Sequence, residues 1–334
     1  MCECQNKAAK LSLATIAAQA GNHEDERGAV ALPIYLSSNY RHPTLKEAIN
    51  FDATKDYTYS RLSTPNRRAV EKTLAKLEGG TAAFAVSSGM AAVQLALSIL
   101  KTGDRLISLD DLYGGDFRYF DYLNRHAGIE FDQWDGGSLA ELVAKLTPKT
   151  RIVWLETPSN PTMKEIDVQA VAAAVHEYDP QIKVIVDNTF YTPIYQRPLL
   201  KGADVVIHSA TKYLSGHNDL LGGAVVVKDE KLAQAYYDYY ITTGDTLDSF
   251  DSWLLLRSLK TLKVRMAQHT KNAQAVVEYL KQAPEVEKVL YPGKGGMISF
   301  YLKKADQVER LLDHVKVITF AESLGGIESL ITIP

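Results

Sequence analysis

Residues 205–219, VVIHSATKYLSGHND, lead a buried strand directly into a polar loop that carries a lysine. The strand begins with Val205, Val206 and Ile207, and such a β-branched run is typical of a strand buried on both faces. Lys212 follows within five residues, flanked by the hydroxyls of Ser209 and Thr211. Open α/β sheets bind ligands beyond the carboxyl ends of their strands. We therefore predict that Lys212 is a nucleophile in a ligand site rather than a solvated loop lysine.

Outward from this stretch, strand patterns alternate with helical patterns. Strands are predicted at Ala82–Val86, Arg105–Leu109, Arg151–Leu155, Lys183–Val186, Val205–Ile207 and Ala224–Val227, and helices from Met90, from Asp116 and over Val168–Tyr178. Strands separated by helix-length segments indicate right-handed crossovers and a mainly parallel sheet. The predicted fold class is α/β, with helices on both faces of the sheet.

A second region begins near Ser249. Helical patterns continue to Leu280, and short strands are predicted at Met297–Leu302 and Val315–Thr319, which together indicate a smaller C-terminal α+β domain. Residues 1–49 lack steady periodicity. The predicted organisation is an N-terminal arm at 1–49, a large domain at 50–248 and a small domain at 249–334.

Composition excludes several classes of partner. The 334 residues carry 37 Lys and Arg against 40 Asp and Glu, a formal charge of −3, so nothing indicates binding to nucleic acid or anionic lipid. No apolar stretch approaches the ~18 residues of a membrane span, and we expect a cytoplasmic protein. Cys2 and Cys4 lack further nearby ligands, so we expect a disordered tail and no metal site.

Three features together predict the cofactor. Ser87, Ser88 and Gly89 join a strand to a helix, and unpaired N–H groups at a helix N-terminus suit a phosphate. Asp187 ends a second apolar strand, where a carboxylate can pair with a protonated ring nitrogen. Together with Lys212, which can bind an aldehyde, these are the fixtures that pyridoxal 5′-phosphate (PLP) requires. Glycine motifs for dinucleotides and nucleoside triphosphates are missing there.

Seven segments extend this reading to most of the chain. The sequence resembles the Cys/Met-metabolism PLP enzymes, the cystathionine γ-lyases, β-lyases and γ-synthases, in DYTYSRLSTPNRRAVEKTLAKLEGG, SSGMAA, DDLYGGDFRYF, ETPSNPT, VDNTFYTPIYQRPLLKGADVVIHSATKYLSGHND, FDSWLLLRSLKTLKVRM and TFAESLGGIESL. The resemblance implies the fold of the aspartate-aminotransferase-like PLP enzymes (fold type I).

The resemblance also implies how the cofactor is held. Lys212 forms the Schiff base, Asp187 pairs with the pyridinium nitrogen, and Tyr113 stacks on the ring and assists proton transfer. Phosphate contacts within the chain come from Gly89, Met90, Ser209 and Thr211. Tyr59 and Arg61 reach the phosphate of the neighbouring subunit. The resemblance therefore implies a homo-oligomer. Its smallest unit is a dimer with shared active sites, and the expected assembly is a tetramer.

On the substrate side, the resemblance places Asn160 and Ser323 near the carboxylate of a sulfur amino acid. Glu322 resembles a residue found in γ-lyases, γ-synthases and some bacterial β-lyases. The alternative interpretation is that Glu322 is a solvated loop carboxylate with no role in the site.

The chain departs from the family in three places. Ser63-Thr64-Pro65-Asn66 replaces a Gly-Asn-Pro-Thr turn, and a longer family segment is missing between Gly293 and Lys294. A carboxylate-binding arginine of the family is expected beyond Pro334.

The predicted reaction is γ-elimination of L-cystathionine to cysteine, 2-oxobutyrate and ammonia. A β-lyase that yields homocysteine and pyruvate is the close alternative, and a γ-synthase is the third. Gly115 stands where methionine γ-lyases carry a cysteine, which argues against that activity. A noncatalytic binding protein on the same fold and a dehydrogenase are rival classes. The intact Lys212, Asp187 and Tyr113 disfavour the first, and the missing glycine fingerprint disfavours the second.

Overall fold

A seven-stranded sheet lies at the centre of the structure, a computed structural model that describes residues 11–22, 24–50, 52 and 56–334. Its strands are β1 (Ala82–Val86), β2 (Arg105–Leu109), β3 (Glu130–Trp134), β4 (Thr150–Glu156), β5 (Lys183–Asp187), β6 (Val205–Ser209) and β7 (Gly223–Val227). They run in the order β1-β7-β6-β5-β4-β2-β3. β7 is antiparallel to both of its neighbours, and the other pairs are parallel. Cys2 and Cys4 lie outside the described residues.

Helices follow most of the strands. They are α1 (Leu13–Ala18), α2 (Leu45–Ile49), α3 (Pro65–Glu78), α4 (Gly89–Leu97), α5 (Gly114–Ala127), α6 (Leu139–Lys145), α7 (Val168–Tyr178), α8 (Thr192–Tyr195), α9 (Glu230–Thr243), α10 (Ser249–Leu259), α11 (Leu262–Gln282) and α12 (Asp306–Leu312), with a 3-10 turn at Pro198–Lys201. In the part of the chain that the structure describes, no helix is both long and apolar enough to cross a membrane.

β6, which precedes Lys212, is buried on both faces. Val206 packs in one core with Leu74 of α3, whereas Val205 and Ile207 pack in a second core with Leu95 of α4 on the opposite face. This alternation follows from the two-residue period of a strand. The predicted α/β class, with a mainly parallel sheet and helices on both faces, is confirmed.

Smaller sheets form in the C-terminal region. β8 (Val286–Leu290) pairs antiparallel with β9 (Ser299–Leu302), and β10 (Thr319–Phe320) pairs in parallel with β11 (Leu330–Ile331). The predicted strand at Val315–Thr319 is wrong except at its last residue. Its other residues have no partner strand, and Val317 is 91% exposed.

The first helix of this region is not separate from the large core. Leu255, Leu256 and Leu259 of α10 lie in the same buried cluster as Leu74 of α3. The apolar face of α10 is therefore buried by the sheet-side helices, and the domain boundary at 249 stays a prediction.

Candidate active site

Lys212 lies just beyond the carboxyl end of β6. Its Nζ donates a hydrogen bond to Ser323 Oγ at 2.8 Å. Burial lowers the pKa of the Lys212 ammonium, although the carboxylates of Glu322 and Asp187 act in the opposite direction. A lowered pKa increases the fraction of neutral, nucleophilic amine at neutral pH. The structure therefore brings Lys212 into hydrogen-bond contact with Ser323 and within range of the charges of Asp187 and Glu322.

The loop between β10 and β11 covers the lysine. Ser323 has a φ of 84°, which is uncommon for a residue other than glycine. Gly325, also at positive φ, lies so close to the backbone of Tyr213 that a Cβ there would come within 2.5 Å of the Tyr213 nitrogen. Only glycine allows this approach. The backbone of the loop thus holds Ser323 against Lys212.

Asp187 ends β5, the neighbour of β6. Its Oδ1 accepts a hydrogen bond from the Thr189 N–H at 2.9 Å, and Thr189 Oγ1 accepts one from the Ser209 N–H at 2.9 Å. Thr189 therefore ties the ends of the two strands together. Burial raises the pKa of the Asp187 carboxyl, while hydrogen bonds from Thr189 and the charges of His208 and Lys212 oppose the rise. A cationic ring nitrogen placed here would pair with the partly desolvated carboxylate of Asp187.

Two further carboxyl groups lie beside Asp187. Oxygen atoms of Asp116, Glu156 and Asp187 all lie within 4.8 Å of one another. Asp116 is in the first turn of α5, and Glu156 is the last residue of β4. Sequence reasoning missed both, although they stand in the quoted segments DDLYGGDFRYF and ETPSNPT. The rule that ligands lie beyond strand ends could have identified Glu156.

The N-terminus of α4 forms the second part of the site. Ser88 caps the helix by accepting a hydrogen bond from Ala91 N–H at 3.1 Å. The N–H groups of Gly89 and Met90 lie in the first turn, where a helix offers donors without intrahelical acceptors. Gly89 packs against β6 so closely that a Cβ would lie 2.9 Å from Ser209 Oγ. The result is a small cradle of donors, which suits a phosphate.

The other hydroxyl expected at the phosphate already has a partner. Thr211 Oγ1 accepts a hydrogen bond from Gly222 N–H at 3.0 Å and donates to Gly222 O at 3.2 Å. These bonds hold the Lys212 turn onto the start of β7. Thr211 is near the cradle, but its hydroxyl would have to exchange a bond to reach a phosphate.

Tyr113 lies at the N-cap of α5 with its side chain 47% exposed. Its backbone N–H donates to Glu156 Oε2 at 2.8 Å, which anchors the residue to the carboxyl end of β4. Gly115 follows, and a Cβ there would lie 2.3 Å from Cε1 of the Tyr113 ring. The glycine therefore permits this position of the phenol, which is open to stack on a ligand.

The structure does not bring Tyr59 and Arg61 to the lysine. Tyr59 is 47% exposed, and Arg61 donates to the backbone oxygen of Ile241 and lies 5.8 Å from the centre of the Tyr59 ring. No contact joins either residue to Lys212 among the described residues. The exposed side chains of Tyr59 and Arg61 are free to contact a second chain.

The turn before α3, which departs from the family sequence, makes several side-chain hydrogen bonds. Thr64 caps α3 by accepting a bond from Arg67 N–H at 3.2 Å. Asn66 is fully buried and binds the N-terminal arm, accepting from Tyr35 N–H and donating to Pro33 O, each at 2.9 Å. The turn is therefore held by its own side chains.

Arg67 fixes the segment that carries Arg61. Its Nη2 donates to Ser60 O at 2.7 Å and to Arg61 O at 3.2 Å, and its Nη1 donates to Leu247 O at 3.1 Å. The guanidinium is 1% exposed. The buried Arg67 side chain thus fixes the backbone of residues 59–61, a segment that we call the strap.

The remaining substrate candidates lie on loops. Asn160 is half-buried in the turn after β4 and makes no described contact with Lys212. Glu322 is exposed, and its Oε1 accepts a hydrogen bond from Thr332 Oγ1 at 2.8 Å. Of the substrate residues predicted from sequence, Ser323 alone contacts the lysine directly within the described residues. The donor cradle, the half-buried Asp187 carboxylate and the half-buried Lys212 amine fit PLP.

Comparison with known proteins establishes the family. The chain matches the model of the Cys/Met metabolism PLP-dependent enzymes over residues 14–334 and belongs to that family. It is 49% identical over 318 residues to a cystathionine γ-synthase/O-acetylhomoserine (thiol)-lyase of Bacillus subtilis (strain 168), a match that covers 95% of this chain and 83% of the relative. It is 45% identical to a cystathionine γ-synthase of Haemophilus influenzae, covering 97% and 86%.

A solved structure gives the same family. The cystathionine γ-lyase from Lactobacillus plantarum complexed with L-serine is 39% identical, with a TM-score of 0.91, and the match covers 97% of this chain and 87% of that one. The predicted family, fold type and PLP cofactor are therefore confirmed. The chain is a PLP-dependent enzyme of cystathionine metabolism.

Proposed function

We propose that this enzyme catalyses γ-replacement as a cystathionine γ-synthase, joining the sulfur of L-cysteine to Cγ of an O-acylated L-homoserine. The Cγ–O bond breaks, the Cγ–S bond forms, and a carboxylic acid leaves with the thiol proton. Support comes from the γ-synthase names of relatives that are 49% and 45% identical. The observation in the structure that supports proton transfer at both Cα and Cβ is the half-buried Lys212 amine, which lies 2.8 Å from Ser323 Oγ.

The cofactor and the protein divide the work. Bound PLP supplies an aldehyde carbon that links to amines and a ring that accepts the electron pair released at Cα. Lys212 holds the cofactor before substrate arrives and afterwards is a base beside Cα. γ-Chemistry requires a second proton removal, at Cβ, and a neutral lysine on a flexible stem can serve both positions. Ser323, 2.8 Å from Lys212 Nζ, orients the amine between these transfers.

The remaining residues hold the cofactor. We assign the ring nitrogen to Asp187, the ring face to Tyr113, and the phosphate to the N–H groups of Gly89 and Met90 with the Ser209 hydroxyl. Thr211 contributes after its bond to Gly222 is exchanged. Asn160 and Ser323 lie on the loops that we assign to the substrate carboxylate. Charge-assisted bonds of this kind are about twice as strong as neutral ones.

Glu322 is our candidate for the amino group of the incoming cysteine. Its carboxylate is exposed on the loop that covers Lys212, and Thr332 donates to one of its oxygens. The second oxygen remains open to an ammonium group. The same contact would serve the distal amino group of cystathionine.

The γ-elimination predicted from the sequence is the second candidate. It uses the same lysine and the same two proton removals. The Cγ–S bond of cystathionine breaks, cysteine leaves, and the four-carbon fragment is hydrolysed to 2-oxobutyrate and ammonia. The structural likeness to a γ-lyase, at a TM-score of 0.91, supports it.

We further propose a twofold dimer as the smallest active unit. Tyr59 and Arg61 are exposed and lie on a strap that Arg67 holds rigidly. A closed dimer would place the strap of each chain against the phosphate of the other.

Two incubations decide between the reactions. O-Acetyl-L-homoserine with L-cysteine should yield cystathionine and acetate. L-Cystathionine alone should be consumed at least tenfold more slowly. The matched control is Lys212→Ala, which should give neither product.

The keto acid identifies the alternatives. Rapid release of 2-oxobutyrate from cystathionine, without formation of cystathionine in the first incubation, would replace the γ-synthase by the γ-lyase. Pyruvate and homocysteine would indicate β-elimination. No product from either incubation would refute the assignment to cystathionine.

A further inference from the structure

The three carboxyl groups at the end of the sheet come from separate elements. Asp116 belongs to α5, Glu156 to β4 and Asp187 to β5, and their oxygens lie within 4.8 Å of one another. Asp116 is 1% exposed and Glu156 is 5% exposed. The packing of a helix against two adjacent strands therefore buries Asp116 and Glu156 beside the half-buried Asp187.

Their hydrogen bonds differ. Glu156 Oε2 accepts from Tyr113 N–H at 2.8 Å, and Asp187 Oδ1 accepts from Thr189 N–H at 2.9 Å. Asp116 Oδ2 is buried and has no hydrogen-bond partner among the described residues. A buried carboxylate oxygen without a donor is strongly unfavourable, whereas a carboxylic acid can itself donate to a neighbouring oxygen.

The surrounding charges favour a charge on Asp187. Burial raises the pKa of the Asp187 carboxyl, but the hydrogen bonds from Thr189 and the interactions with His208, from β6, and Lys212 oppose that rise. Asp116 instead faces burial and the charge of Asp187, and both raise its pKa.

Glu156 is in a similar position to Asp116. Burial, then the charges of Asp187, Asp116 and Asp111, raise its pKa against the bond from Tyr113. Close carboxyl groups of this kind share protons, because they cannot all ionise together.

We propose that Asp116 is a positioning residue for Asp187: a neutral carboxylic acid that donates its proton within the cluster and leaves the negative charge on Asp187. The inference rests on the proposed function only in assigning Asp187 to the ring nitrogen. A fixed carboxylate favours the protonated ring, and the protonated ring is the better electron acceptor. Asp116 thus acts through Asp187 and touches no reacting atom.

Infrared spectroscopy of the holoenzyme tests the protonation state directly. The C=O stretch of a protonated carboxylic acid is separate from the bands of carboxylates and amides. In deuterated buffer at neutral pH, wild type minus Asp116→Asn should show this band. Wild type minus Asp121→Asn should not, because the Asp121 side chain, on the same helix, is 41% exposed and lies 2.6 Å from Arg125 Nη2.

No difference band for Asp116→Asn would overturn the proposal, since Asp116 would then be ionised. Ionised carboxylates with a bound hard cation are one such outcome, and a chelator would then change the spectrum. Because the measurement needs no substrate, it stands even if the enzyme proves to be a lyase.

Turnover tests the positioning role. Asp116→Asn retains an N–H donor, so kcat should stay within threefold of wild type, with the same visible absorption of bound cofactor. Asp116→Leu keeps the branched shape and the number of side-chain heavy atoms but has no donor, and we expect kcat to fall at least tenfold with an altered pH dependence of that absorption. A leucine variant that folds and has the kcat of wild type would refute the positioning role. If the leucine variant does not fold, the asparagine variant decides, because loss of turnover there would refute hydrogen-bond donation by Asp116.

Discussion

The substitution Gly89→Ala tests whether the N-terminus of α4 holds the cofactor phosphate. The added methyl group would lie 2.9 Å from both Cβ and Oγ of Ser209, whereas carbon atoms in contact are normally about 3.5–4.0 Å apart. Ser209 ends a central strand and cannot retreat. The first turn of α4 must therefore move away by about 0.5–1 Å to restore that contact distance.

Such a shift stretches the hydrogen bonds from the Gly89 and Met90 N–H groups to the phosphate. Bonds to a charged group contribute about 1.5–3 kcal/mol each, so losing half of two bonds costs about 1.5–3 kcal/mol. The dissociation constant of PLP should rise roughly 10- to 150-fold. We would measure it by absorbance titration of protein that has been stripped with hydroxylamine.

Gly114→Ala is the matched control. Gly114 also begins a helix, but a Cβ there meets nothing closer than Arg118 Nη1 at 3.5 Å, which is an ordinary contact. Its PLP affinity should stay within twofold of wild type. If Gly89→Ala binds PLP as tightly as this control, the phosphate does not lie at α4, and the assignment of the cradle is refuted.

Three further predictions concern the lysine, the assembly and the arm. Lys212→Ala should abolish both product formation and the borohydride-fixed link between protein and cofactor; survival of both would overturn its role. Co-expressed Arg61→Ala and Lys212→Ala chains should recover roughly a quarter of wild-type activity, because about half of randomly paired dimers are hybrids with one of two sites intact. Recovery no greater than the mean of the two variants, with hybrids verified by tags, would place Arg61 in its own chain's site. Asn66→Ala should destabilise the protein by about 1–3 kcal/mol, seen as a lower thermal midpoint, because Tyr35 N–H and Pro33 O lose their partner; an unchanged midpoint would contradict this.

The sequence predicted the sheet well where strands are buried on both faces. The runs before Lys212 and Asp187 are continuous and β-branched, and such runs admit few other structures. The rule for ligand sites beyond strand ends then predicted both residues at the same edge of the sheet, where the structure has them; their roles stay predictions. The periodicity of the chain thus predicted where these two residues lie.

Edge elements were less predictable. β3 was missed because it lies at the edge of the sheet and carries Glu130 and Asp132, which are half-buried and paired with Arg105. The strand predicted at Val315–Thr319 has an apolar pattern but no partner strand. Pairing depends on what lies alongside a strand, and a local pattern does not contain that information.

Asp116 shows a different limit. An acidic residue in the first turn of a helix is ordinarily a favourable partner for the helix dipole. The dipole alone therefore explains the aspartate in DDLYGGDFRYF, without any ligand site. Its burial depends on how α5 is rotated against β4 and β5. Ser323 is similar, because its contact with Lys212 joins residues that are 111 positions apart in the chain.

The position of β7 in the sheet has a consequence for the order of folding. β7 lies between β1 and β6, so Ala82 pairs with Val227 and β1 has no neighbour in the sheet until the chain has reached that point. Long-range pairings of this kind are slow, because a large loop must close before any contact compensates for the lost entropy. A Cβ on Gly223 would lie 2.1 Å from Ser88 O, so the start of β7 directly supports the cap of α4. The phosphate cradle is therefore completed only when β7 takes its place, and cofactor capture should be among the last events in maturation, after the slowest pairing in the sheet.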